Sequence, residues 1–333
     1  MVLAVFYTLL QLLILIAIGF WLSRARGYPR ALMQGLSRIT GNVALPLYFF
    51  VTLAKTNTAD LRAGWVFPII AAAVILLGLM ISATLFRLLP MNDAERRAGM
   101  AMCSFGNASY IPLGLMEIFP VTLPVIASTF SQKTVSLYIG TYLLVNSPLQ
   151  WTLGNYLLTG AGRRPKLNEL ITPPFVGILA GLAVVAFGVQ GTLQDIRLPF
   201  FHVMVSLEKV GNLTVPLIMI SLGAMIGEIT ITRETGRGLA AMALGVSAVR
   251  FFCLPLLFIL GFLFVLRPLG LTPVQIWVVF LEMHVPPATN FTIMATRAGK
   301  NENHVSFTLL TTYLVYMFVL PVYLLVFLSL MRL

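Results

Sequence analysis

Apolar residues in this chain come in long, nearly unbroken runs. Val2–Ser23, Ala63–Phe86, Leu170–Gln194 and Asn303–Met331 contain no Asp, Glu, Lys or Arg. A run of about 20 such residues crosses the hydrocarbon core as one helix. Read along its whole length, the pattern predicts an all-α integral membrane protein with ten spans. The first five are Val2–Leu22, Gly35–Leu53, Trp65–Leu89, Arg97–Ile118 and Thr134–Leu158. The second five are Ile171–Val189, Leu207–Gly227, Leu239–Leu266, Pro273–Arg297 and Val305–Met331. The polar stretch at 159–169, with Arg163, Arg164 and Lys166, divides the chain into a first repeat, 1–158, and a second, 170–333.

One short string occurs in both halves. Gly41-Asn42-Val43-Ala44-Leu45-Pro46 and Gly211-Asn212-Leu213-Thr214-Val215-Pro216 both read Gly-Asn-x-x-x-Pro. They lie about half the chain apart, as two copies of one unit would, and internal repeats are a common plan of secondary transporters. Loop charges set the orientation. With the N-terminus outside, the inside loops carry about twice as many Lys and Arg as the outside loops, as the positive-inside rule requires. Five spans per repeat is an odd number, so the second repeat enters from the opposite face. The expectation is a five-plus-five inverted repeat with both termini outside.

Two spans do not read as continuous helices. The fourth contains Asn107-Ala108-Ser109-Tyr110-Ile111-Pro112, and the ninth contains Glu282-Met283-His284-Val285-Pro286-Pro287-Ala288-Thr289-Asn290. Proline removes a backbone donor and clashes with the preceding turn. Broken backbone at membrane depth is tolerated only where protein buries it or it lines a cavity. Equivalent interruptions in both halves point to a transporter's binding site. Each half-helix that restarts after a break presents free N–H groups and a positive dipole end, which suits an anion. The candidate binding set is therefore Asn107, Ser109, Tyr110, Pro112, Pro286, Pro287 and Asn290.

Charged groups inside spans are few, and such groups are functional candidates by default. Glu282 and His284 are candidates to carry a coupling proton. The plain alternative pairs Glu282 with Arg250, which lies well inside the eighth span. Asn42 and Asn212 sit four residues before Pro46 and Pro216, so each amide either bonds a carbonyl freed by its own proline or contacts substrate, and a supporting place beside the crossing satisfies both readings.

Composition narrows the classes. Apolar residues are 59% of the chain and charged ones 10%, against about 25% charged in soluble domains. The net charge of +11 follows from loop charges that orient the chain in a bilayer, so nucleic acid is not an expected partner. Cys103 and Cys253 lie within apolar runs and read as packing residues. No catalytic constellation, metal-ligand spacing or nucleotide-binding glycine loop is present, so neither an enzyme, a metal nor a cofactor is expected.

These residues resemble the auxin efflux carrier family, which includes the plant PIN carriers and many bacterial carriers and is distantly related to the bile acid:sodium symporters. The resemblance covers the whole chain. It rests on the ten-span inverted plan, on Phe105-Gly106-Asn107 in the fourth span, and on Met283 to Asn290 with Pro286-Pro287-Ala288 in the ninth. It implies that the fourth and ninth helices cross at a central site. It implies a scaffold of the first, second, sixth and seventh helices, and elevator-like alternating access. Substrates would be organic anions such as auxin or small dicarboxylates, and the family often forms dimers. The family's crossover asparagine maps onto Asn107, and its second crossover proline onto Pro286 or Pro287. Two features depart from the pattern. Glycine and proline usually stand five and seven residues after the asparagine, whereas here Pro112 and Gly114 are exchanged. The long hydrophilic loop of the plant carriers is absent, as in a compact prokaryotic member.

The sequence thus reads as a secondary transporter of a small organic anion in the cell membrane, with a proton, sodium or no ion as the alternatives for coupling. A channel, or a sensor or receptor on the same fold, is the alternative. The topology has a direct check. Reporter fusions at Arg332 and within 159–169 are expected to label opposite sides of the membrane, and labelling on one side would remove the inverted plan.

Overall fold

The computed structural model describes residues 2–25, 30–122, 124–160, 171–228 and 237–331. The expected connector at 159–169 falls almost wholly outside them. Among the described residues the secondary structure is helical, apart from one isolated β-bridge. The first half comprises α1 (Val2–Arg24), α2 (Arg30–Ile39), α3 (Leu45–Ala54), α4 (Thr58–Gly64), α5 (Val66–Leu85), α6 (Asp93–Ser104), α7 (Tyr110–Thr122), α8 (Pro124–Thr129), α9 (Gln132–Leu149) and α10 (Asn155–Thr159). The second comprises α11 (Pro173–Ala186), α12 (Gln190–Gln194), α13 (Pro199–Gly211), α14 (Thr214–Glu228), α15 (Arg237–Ala248), α16 (Leu254–Gly261), α17 (Pro273–His284), α18 (Asn290–Ala298) and α19 (Glu302–Met331).

Many of these helices join end to end through wider turns. A π-helical turn at Thr40–Ala44 links α2 to α3, and another at Val249–Cys253 links α15 to α16. Proline stands just after each turn, and its missing N–H makes a regular hydrogen-bond ladder impossible there. At Pro255 the carbonyl four residues back is that of Phe251. The Tyr323 hydroxyl donates to that carbonyl at 2.8 Å, so the break costs no buried acceptor. The repeated Gly-Asn-x-x-x-Pro string marks the same event in both halves. The first copy forms the π turn before α3, and the second forms the turn between α13 and α14.

Five helical stretches among the described residues are long and apolar enough to cross a membrane: Ala31–Ala54, Thr58–Leu88, Pro199–Glu228, Gly238–Leu266 and Glu302–Met331. Others are shorter. The expected sixth span is the 14-residue helix α11, about 21 Å long at 1.5 Å per residue. Large apolar side chains face outward, including Trp21, Phe187, Phe264 and Phe318, each at least 65% exposed. So much open apolar surface suits hydrocarbon rather than water.

The packing pairs helices across the two halves. α1 lies along α14, and α11 lies along α3. Small residues set both contacts, as in membrane helix pairs generally. A β-carbon on Gly223 would lie 2.7 Å from the carbonyl carbon of Ile16, and one on Gly177 would lie 2.7 Å from Cα of Pro46. Within the halves, α5 packs on α9 and α15 on α19. These layers enclose α6, α7, α17 and α18, whose breaks carry the site.

Candidate functional site

The two interrupted spans open alike. Asn92 caps α6 in a capping box with Glu95, and Thr272 caps α17 in a capping box with Gln275. Each satisfies the first amides of its helix. α6 then ends at Ser104 and α17 at His284, and both chains become extended. The extended pieces meet as an antiparallel bridge between Gly106 and Pro287. Asn107 N–H donates to the Pro286 carbonyl at 2.8 Å, and Ala288 N–H donates to the Phe105 carbonyl at 3.0 Å. Pro286 thus serves as an acceptor, the one backbone role proline keeps. Phe105 and Phe291 close over the bridge with ring centroids 6.4 Å apart, and both are fully buried.

Pro112 does not make the first break. It is the third residue of α7, where the missing N–H is unneeded. The chain leaves helical geometry earlier, at Phe105, and restarts at Tyr110. Asn107 governs that restart. Its Oδ1 accepts from Tyr110 N–H at 3.2 Å, and its Nδ2 donates to the Tyr313 hydroxyl at 2.7 Å. Tyr313 in turn donates to the Pro287 carbonyl at 3.2 Å. One side chain therefore caps α7 and ties it, through α19, to the opposite break. Tyr313 is the residue sequence reasoning missed. It sits in an uninterrupted apolar helix with no motif around it.

Arg250 lies at the centre, with no exposed surface. Its Nε donates to the Val285 carbonyl at 2.9 Å and its Nη1 to the Cys103 carbonyl at 3.2 Å. Its Nη2 also donates to the Val285 carbonyl. These carbonyls belong to the C-terminal ends of α6 and α17, where helix dipoles are negative. The alternative pairing of Arg250 with Glu282 is not found as an ion pair among the described residues. Arg250 makes no ion pair among the described residues, because the two broken helix ends already satisfy its fork of donors.

Glu282 is buried, and neither carboxylate oxygen has a hydrogen-bond partner among the described residues. It lies within electrostatic reach of Arg250 and of Tyr142 on α9. Asn146 and Gln150 follow Tyr142 at helical spacing on the same stripe. Each is buried and keeps a polar atom without a partner, Oδ1 and Nε2 respectively. His284 is placed differently. Its Nδ1 meets the Phe280 carbonyl at 2.6 Å, and the rings of Phe258, Phe280 and Tyr323 surround it.

The candidate binding residues therefore divide. Asn107, Pro286 and Pro287 are buried and build the crossing, Pro112 is buried in the first turn of α7, and Ser109, Tyr110 and Asn290 at the two helix starts stay partly open. The bridge is antiparallel, so α7 and α18 begin at its opposite ends. Asn42 and Asn212 are corrected. Both side chains are exposed, and neither bonds a proline-freed carbonyl among the described residues. The turn bearing Asn42 nonetheless abuts the site, since a β-carbon on Gly41 would lie 3.8 Å from the Tyr110 hydroxyl. Asn212 lines a crevice of about 200 Å³ with Tyr48, Lys55 and Glu208. There Lys55 and Glu208 form an ion pair at 2.6 Å, and the hydroxyls of Tyr48 and Ser136 bond at 2.8 Å.

A family model described as Membrane transport protein matches residues 4–169 and again residues 162–324. Among curated proteins, the chain is similar to Protein PIN-LIKES 5 of Arabidopsis thaliana. The two are 22% identical over an alignment that covers 97% of this chain and 96% of that protein.

The crossing makes one glycine indispensable. A β-carbon on Gly106 would collide with Nη2 of Arg250 and lie 2.7 Å from Cγ2 of Val285. Gly106→Ala is expected to lower stability by about 1–3 kcal/mol, the usual cost of overpacking. Gly35→Ala, where nothing lies within 4 Å, serves as the control. Thermal unfolding of both variants in detergent is the check, and equal melting would show that the guanidinium is not pinned against Gly106.

Proposed function

The chain belongs to the membrane transport protein family, and we propose that it is a secondary transporter that moves a small organic anion past the crossing of its two broken helices. It acts in transport and is not an enzyme. The observation that carries the substrate assignment is the crossing itself: two interrupted helices, joined by a two-bond bridge, each restarting beside an amide side chain. The restarts at Tyr110 and Asn290 supply positive dipole ends. The partly open side chains of Ser109, Tyr110 and Asn290 supply neutral hydrogen bonds. A carboxylate held in this way needs no lysine in the hydrocarbon.

The proposal extends to architecture. Ten spans in two inverted five-helix repeats account for the exchange-related pairs, α1 on α14 and α11 on α3. They also account for the paired capping boxes and paired breaks. Movement of the crossing against the scaffold of α1, α3, α11 and α14 would give alternating access. Glu282 is the proposed proton carrier, because its carboxylate is buried with no hydrogen-bond partner among the described residues. The aromatic walls around His284 leave it out of the proton path.

Counterflow in proteoliposomes tests the transport reading. Organic acids that stabilise the purified protein should show exchange stimulated by substrate on the far side. A channel or a sensor gives none. Asn107→Asp sharpens the site assignment. Aspartate is as good a helix cap as asparagine, so α7 keeps its start, while the Nδ2 donor to Tyr313 is lost and a negative charge enters beside the anion's place. Binding of a stabilising carboxylate is expected to weaken by at least about tenfold, or about 1.4 kcal/mol. Unchanged affinity would move the anion elsewhere.

Glu282→Gln keeps shape and removes the exchangeable proton. Net uptake is expected to lose its pH dependence while exchange persists. An unaltered pH profile in this variant would remove Glu282 from coupling.

A further inference from the structure

We infer that Arg250 is a built-in cation: its guanidinium fills the carbonyl site formed by the C-terminal ends of α6 and α17, so the crossing takes no soluble alkali cation there. The inference deepens the proposed function, since it concerns the charge against which the anion is held.

Broken helices at a transporter's midplane leave unwound carbonyls and C-terminal half-helix ends, and these are the groups that coordinate a coupling cation. In this chain the corresponding carbonyls are those of Cys103 and Val285, and the guanidinium of Arg250 donates to both. A fully buried guanidinium is costly unless its charge is answered. No carboxylate lies within ion-pair distance among the described residues. The answer comes instead from two dipole ends, each equivalent to roughly half a negative charge.

The surroundings fit a permanent occupant. The π turn Val249–Cys253 carries Arg250, and the Tyr323 hydroxyl fixes that turn through the Phe251 carbonyl. Gly106 leaves the guanidinium the volume that a methyl group would take. The bonds join both halves of the chain, because Cys103 and Val285 belong to different breaks. With the negative ends of α6 and α17 answered by Arg250, the positive ends of α7 and α18 remain for the substrate. The arginine thus makes the crossing selective for anions without touching one.

The test reads melting of purified protein in detergent without substrate, at equal ionic strength in sodium, potassium or choline chloride. The parent is expected to melt at the same temperature in all three. Arg250→Ala is expected to melt several degrees lower and to be raised again by a few millimolar guanidinium, but not by the same concentration of urea. Arg250→Lys, which keeps the charge and loses the fork, is expected to fall between them. A sodium-specific rise in the parent overturns the inference whatever the variants do. So does an Arg250→Ala protein that melts with the parent, or one that guanidinium and urea affect alike. Because no substrate enters the assay, failed counterflow alongside this melting pattern would count against the transport reading alone.

Discussion

A helix broken inside hydrocarbon must find partners for the backbone groups it frees, and this structure is arranged around that demand. Each unanswered group would cost several kcal/mol, and two breaks multiply the debt. The solution is reciprocal. Each break supplies the other with a backbone donor and a backbone acceptor across the Gly106–Pro287 bridge. What the bridge leaves over is taken up by side chains from other helices: Asn107 from within, Tyr313 from α19 and Arg250 from the turn after α15. The crossing is therefore a junction of four segments, and no single helix could hold it.

Much of this was legible in the chain because proline and charge are loud signals in apolar runs. The break in the ninth span follows from Pro286 and Pro287, and the transporter class from paired interruptions; the first break lies beside Asn107, in the stretch read as interrupted, but Pro112 does not make it. The hydrogen-bond partners were not legible. Nothing in a run such as Thr312-Tyr313-Leu314 announces that one hydroxyl reaches a break about two hundred residues away. Arg250 was visible as a buried charge, but the natural guess gave it a carboxylate partner. Backbone carbonyls carry no sequence signature, so the true partners were hidden. The same limit misplaced Asn42 and Asn212. Their spacing to proline marks the turns correctly, yet the freed carbonyls do not take the neighbouring amides.

The division of the site residues has a mechanical meaning. Asn107, Pro286 and Pro287 spend their polar capacity on one another's segments, which makes the crossing stiff. Ser109, Tyr110 and Asn290 sit at its edges with surface to spare. The alternating access proposed above would therefore carry the crossing as a unit against the helices around it. The hydroxyl bond between Tyr48 on α3 and Ser136 on α9 spans such a boundary. It is a contact that relative motion would have to break.

α11 carries a consequence for the lipid. In the proposed arrangement it stands among the membrane helices, yet at 14 residues it is about 9 Å short of a hydrocarbon layer roughly 30 Å thick. Phe187 and Val189, exposed just beyond its end, extend the apolar stretch only a little. Headgroups beside α11 must dip, or acyl chains must compress, at a cost of fractions of a kcal/mol per ångström. The protein thus imprints a dent on its own bilayer. In that arrangement any rearrangement that tilts α11 would exchange elastic energy with the surrounding membrane, which would make acyl-chain length a variable of its motion.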